Sequence, residues 1–131
     1  MEFEIPVGQE GVQELMVKYE DTAANYGSGL VEVYATPAMV ALMEKTCLMS
    51  VLQYLPDGYG TVGTKVDIVH TKATPVGMRV VCRSRLVKID RRKLVFEVEA
   101  EDEAGVIGRG HHERFIIDTD QFMAKTGAPA K

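Results

Sequence analysis

Two side chains able to move protons stand where apolar packing alone would place Leu or Val. Residues 35–55, Ala-Thr-Pro-Ala-Met-Val-Ala-Leu-Met-Glu-Lys-Thr-Cys-Leu-Met-Ser-Val-Leu-Gln-Tyr-Leu, predict one long buried helix. At about 100° per residue, Val40, Cys47, Leu48, Val51 and Leu55 point along one side of it, and Glu44 lies at the centre of that stripe. A carboxylate in such a place needs a partner, a cavity, or a path past the stripe's edge to water. In a cavity it suits acid, base or nucleophilic work. The second is His70, which shares a strand face with Val66 and Ile68. Strand parity fits a hydrogen-bonded core histidine as well as a proton carrier, whose unperturbed pKa lies near neutrality. Gly63, without a Cβ, either admits a close approach of backbone or ligand or simply marks a bend. Thr36 is explained by an N-cap role whether or not it takes part in chemistry.

The elements that must carry these residues follow from spacing. Thr36 and Pro37 start the helix, and Pro56-Asp57-Gly58 stops it. A strand is expected over 12–20, a polar, glycine-rich lid over 21–29, and an extended segment over 30–34. After the helix come strands at 58–71, 78–90, 94–101 and 106–118, separated by turn sequences such as Thr74-Pro75-Val76-Gly77 and Asp90-Arg91-Arg92-Lys93. In the second of these strands Val80, Cys82 and Leu86 share a face. In the third, Leu94, Phe96, Val98 and Ala100 alternate with polar positions. Residues 119–131 are expected to trail off and fray. This is an α+β domain, a single unit over 1–131, in which one preceding strand and a four-stranded antiparallel meander wrap one long helix. It is the element order of a hot-dog fold.

Composition narrows the function further. With 131 residues and 46% hydrophobic content the chain fits one ordinary core, and a net charge of −4 lacks the basic signature of a nucleic-acid binder. Cys47 and Cys82 are few and embedded in apolar runs, as expected of reduced core thiols. No basic leader followed by an apolar stretch and no membrane-length run is present, so a cytoplasmic protein is expected. His111 and His112 must face opposite ways on a strand, which argues against a metal site. No Walker loop or dinucleotide fingerprint occurs, and no cofactor is expected. Arg91-Arg92-Lys93 reads as a solvated hairpin tip, with phosphate binding as the alternative.

The motifs Ala-Thr-Pro-Ala-Met-Val-Ala-Leu-Met-Glu-Lys-Thr-Cys, Gly63-Thr64, Val69-His70-Thr71-Lys72-Ala73-Thr74-Pro75 and Gly110-His111-His112-Glu113-Arg114 resemble the fluoroacetyl-CoA thioesterase group of hot-dog thioesterases. The similarity runs from about residue 33 to 125. It implies catalysis by Thr36, Glu44 and His70, with Gly63 beside the thioester and Leu30 in the lid against the substrate. One departure lies upstream: phenylalanines line the lid of the fluoroacetyl-specific enzyme, and Gly27 and Leu30 stand in the matching region here. That points away from fluoroacetyl-CoA as a strongly preferred substrate.

For thioester hydrolysis, Glu44 would serve as nucleophile or as base for water, and His70 as base or as proton donor to the leaving sulfur. Eight residues of helix put Thr36 roughly 12 Å from Glu44, so their joint action needs a second subunit, which agrees with the dimer-interface sites the resemblance implies. The expected protein is therefore a homodimer acting on a small acyl-CoA. Its rivals are a non-catalytic module holding acyl-CoA or another apolar ligand in the same cleft, and a hot-dog hydratase.

Overall fold

The computed structural model describes residues 3–127 and 129. Its elements are β1 (Glu10–Met16), a 3-10 turn (Tyr19–Asp21), α1 (Ala23–Tyr26), α2 (Thr36–Leu52), β2 (Tyr59–His70), β3 (Arg79–Asp90), β4 (Lys93–Asp102), β5 (Gly105–Asp118) and α3 (Thr119–Lys125). The five strands form one antiparallel sheet in the order β1-β3-β4-β5-β2, with α2 packed on its inner face. Among the described residues no helix is long and apolar enough to cross a membrane.

The alternation read from the sequence carries the core. Val80, Cys82 and Leu86 of β3 and Leu94, Phe96, Val98 and Ala100 of β4 are buried against the helix. Each large side chain among them contributes about 1.5–3 kcal/mol by leaving water. Cys47 and Cys82 are free and buried, and burial pushes the Cys47 thiol up to about 12, so neither is reactive at neutral pH.

Four expectations need correction. First, only β3, β4 and β5 form a meander; β2 pairs with β5 and β1 with β3. Residues 71–78 are not a hairpin: the Tyr34 N–H bonds the Thr74 carbonyl at 2.8 Å and Val33 bridges to Pro75, so the chain crosses past the start of α2 before entering β3. Second, β1 ends at Met16 rather than near residue 20, because the Asp21 carboxylate accepts the Lys18 N–H at 2.9 Å and tightens the chain into the 3-10 turn. Third, α2 buries Met39, Leu42, Met43, Thr46, Cys47, Ser50 and Val51, while Val40, Glu44 and Leu48 form a half-buried row on its flank. A helix apolar nearly all round does not single out one face by spacing. Thr46 and Ser50 can turn inward because their hydroxyls donate to the Leu42 and Cys47 carbonyls, both at 2.7 Å. Fourth, residues 119–125 form α3, N-capped by Asp118, whose carboxylate accepts the Gln121 N–H. The expected fraying at 128, 130 and 131 lies outside the described residues.

Candidate active site

Thr36 is not the N-cap of α2. Backbone bonds from the Tyr34 N–H to Thr74 and from the Ala35 N–H to the Asp21 carbonyl hold this segment extended, so Ala35 becomes the cap residue. The Thr36 hydroxyl is left free for another partner: its Oγ1 lies 2.8 Å from Nδ1 of His70, the last residue of β2. His70 Nε2 is buried and has no hydrogen-bond partner among the described residues. Burial holds His70 below its ordinary 6.5, against a weaker pull from the Lys72 backbone. The ring is therefore neutral at pH 7 and able to accept a proton. An open cavity of about 350 Å3, lined by Ser28, Tyr34, Thr36, His70, Thr71 and Lys72, adjoins the pair.

Glu44 belongs to a second cluster. Its Oε2 lies 3.9 Å from Nη1 of Arg114, and a Cβ placed on Gly63 would sit 2.7 Å from that same oxygen. Gly63 thus makes room for the carboxylate itself. The Arg114 side chain is only 7% exposed. Its Nε donates to Thr61 Oγ1 at 2.7 Å and its Nη2 to the Thr61 carbonyl at 2.9 Å. Its Nη1 lies 3.1 Å from His112 Nε2, and His112 Nδ1 lies 2.7 Å from the Lys65 carbonyl. Since a carbonyl only accepts, Nδ1 carries the proton and Nε2 accepts from the guanidinium. Burial lowers His112, with the Lys65 carbonyl opposing and Arg114 reinforcing, so this ring too is neutral. Arg114 is a buried, fully braced cation aimed at a carboxylate whose own side chain is 42% exposed.

A bulge brings these pieces to one face. The β2–β5 register slips between Gly63 and Lys65, so the odd-numbered Gly63 and the even-numbered His70 both face inward, opposite Arg114 and Gly108. Simple alternation would have put them on opposite faces. Among the expected site residues, Thr36 and His70 meet in one place and Glu44 and Gly63 in another. Leu30, 98% exposed, lies on the bend after α1. Arg91 is exposed at the β3–β4 turn beside Asp90, as a solvated tip should be. The residues missed are Arg114 and His112. Their signal was parity: Gly108, Gly110, His112, Arg114 and Ile116 share one face, and Ile116 is a core residue.

The fluoroacetyl-CoA-specific thioesterase family model matches residues 17–120. The chain is 42% identical over 94 residues to the fluoroacetyl-CoA thioesterase of Streptantibioticus cattleyicolor, covering 72% of this chain and 68% of that one. It superimposes on a solved structure of the fluoroacetyl-CoA thioesterase FlK with a TM-score of 0.90 at 34% identity, over 96% of this chain and 99% of the other. A variant of that enzyme solved with acetyl-CoA gives 0.89 at 34% identity, over 93% and 96% of the two chains. The chain therefore belongs to the fluoroacetyl-CoA-specific thioesterase family, and it is a hot-dog thioester hydrolase acting on acyl-CoA.

Proposed function

We propose that the chain works as a homodimer hydrolysing short to medium acyl-CoA thioesters, each site taking Glu44 and Gly63 from one protomer and Thr36 and His70 from the other. The observation that carries this reading is the separation of two incomplete clusters on the same two elements, α2 and β2. A thioester carbonyl reaches groups about 3 Å away, whereas Thr36 and Glu44 stand roughly 12 Å apart along one helix. β2 is an edge strand whose outer backbone groups have no neighbouring strand among the described residues. Antiparallel pairing of two β2 strands about a two-fold axis between Val66 and Asp67 would bring Gly63 of one beside His70 of the other, and the two clusters with them.

In such a site Glu44 attacks the acyl carbon or takes a proton from attacking water, with Arg114 as its counter-charge. Neutral His70, oriented by Thr36, relays to the CoA thiolate the proton that water gives up, whether water attacks the thioester with Glu44 as base or cleaves the acyl–Glu44 anhydride left when the thiolate departs. Acyl-CoA and water become the free acid and CoA. Val40, Met39 and Met43 at the start of α2, with a glycine-rich lid bearing Leu30, suit small acyl groups held loosely.

Subunit mixing tests the arrangement. A His70→Ala chain and a Glu44→Gln chain are each nearly inactive alone. A mixed dimer has one site free of both changes, so equal mixing should restore roughly a quarter of parental thiol release. Demonstrated mixed dimers without recovery, or a fully active monomer, would refute the shared site. Tight acyl-CoA binding without thiol release would favour the binding-module alternative.

A further inference from the structure

We propose that Asp102 is a positioning residue for the Thr36–His70 pair, acting through Thr74 and Lys72 on both chain segments that bring the pair together. The inference rests on the reading of His70 as the base of the reaction. Asp102 ends β4, and its side chain has no exposed surface. One carboxylate oxygen accepts from Lys72 Nζ at 2.7 Å and from Thr74 Oγ1 at 2.9 Å; the other accepts the Ala104 N–H at 2.8 Å. Burial would push this carboxyl up, but Lys72, Ala104 and Thr74 outweigh it and hold Asp102 below its usual value, so it is charged at neutral pH. Its partner Lys72 is 40% exposed, so solvent screens the pair and its attraction adds little stability, and a buried carboxylate is a poor substitute for an apolar side chain in packing.

The connections of Thr74 supply an account. Its hydroxyl is held by Asp102, and its carbonyl accepts the Tyr34 N–H two residues before Thr36. His70 lies four residues before Thr74 in the chain. Between them, the Thr71 N–H bonds the Ile107 carbonyl at 2.7 Å, and Lys72 reaches back to Asp102. The turn leaving His70 is therefore tied twice to the β4–β5 hairpin, and the strand entering Thr36 is tied to that turn. Remove the carboxylate and both arms of a 2.8 Å contact lose a common anchor. A misplacement of about 1 Å at a reacting group is enough to lower turnover on the order of a hundredfold.

The test compares Asp102→Asn with Thr74→Val, which keeps the shape of a buried side chain and deletes only its hydroxyl, and Thr74→Ser, which restores it. Each variant is assayed for kcat and KM on acetyl-CoA well below its melting temperature, and the His70 ring nitrogens are followed by NMR through a pH titration. Asp102→Asn and Thr74→Val should lower kcat about tenfold to a hundredfold with KM little changed, and should shift the His70 Nδ1 signal and its titration midpoint. Thr74→Ser should keep parental values. Unmoved His70 signals in folded Asp102→Asn and Thr74→Val proteins would overturn the inference, whatever the activity does. Moved signals with parental turnover would uphold the positioning and overturn the catalytic reading of His70.

Discussion

The two ends of the α2–β2 pair solve the same problem by different means. At one end, Thr36 and His70 form an uncharged contact at the boundaries of two elements, beside an open cavity, and backbone bonds of the neighbouring segments hold it. At the other, Glu44 meets a buried guanidinium braced by Thr61 and His112 on the inner face of the β2–β5 pair. The first arrangement adds little to the electrostatic cost of folding and is easily disturbed. The second buries a charge and cannot be altered without leaving polar groups unpaired. Activity and stability should therefore separate at the Thr36 end and fall together at the Arg114 end.

The largest effects test whether both ends serve one reaction. Glu44→Gln and His70→Ala should each lower kcat/KM for acyl-CoA thiol release by about 100-fold to 10,000-fold, the range for a positioned acid or base. Parental turnover in either variant removes that end from the mechanism. Next comes the contrast in stability. Arg114→Met strands Thr61 and His112, at a cost of about 1–3 kcal/mol, with the part-exposed Glu44 pair adding little after screening. Its Tm should drop by roughly 5–15 °C, whereas His70→Ala should stay within about 3 °C of the parent, since its one side-chain bond is to the exposed Thr36 hydroxyl, where water can take its place, and its buried Nε2 has none to lose. Equal Tm losses in thermal denaturation would erase the distinction between the ends.

Acid sharpens the comparison. The folded His70 and His112 values lie below the ordinary 6.5. As pH falls, the unfolded chain binds protons first; the histidines' contribution is complete above about 6.5 and is lost as pH drops through the folded values. The kcat/KM profile should be level near neutrality with an acid limb whose midpoint lies below 6.5. A limb centred above that value would mean that the working histidine is not the buried, neutral His70. The smallest effect concerns the lid. With Gly27, Gly29 and an exposed Leu30, the ratio of kcat/KM for fluoroacetyl-CoA over acetyl-CoA should stay within about tenfold. A preference of several thousandfold would show that lid phenylalanines are not what such discrimination requires.

Much of this was legible in residue order. The alternation in β3 and β4, the single long helix and the face that His70 shares with Ile68 can all be read from spacing. The buried face of α2 could not, because Thr46 and Ser50 hide their hydroxyls in helix carbonyls and behave as core residues. Nor could the bulge at Thr64, which depends on how β2 and β5 pair rather than on β2 alone. The role of Arg114 is hidden for a related reason: a charged residue on an inward face becomes sensible only with Thr61, His112 and Glu44 around it.

The position of β2 in the sheet also sets an order in time. β3, β4 and β5 meet across the short Arg91-Arg92 and Glu103-Ala104 turns, while β2 must wait for β5, with two whole strands lying between them in the chain. Distant pairings form late because closing the intervening loop is entropically costly. Gly63 and His70 thus ride on a strand that joins after the β3–β4–β5 meander, and a refolding chain should regain that meander before it regains a thioesterase. Pulsed hydrogen exchange during refolding would show protection of β3 and β4 amides ahead of those of β2, with activity returning only in the later phase; simultaneous protection of all strands would contradict that sequence of events.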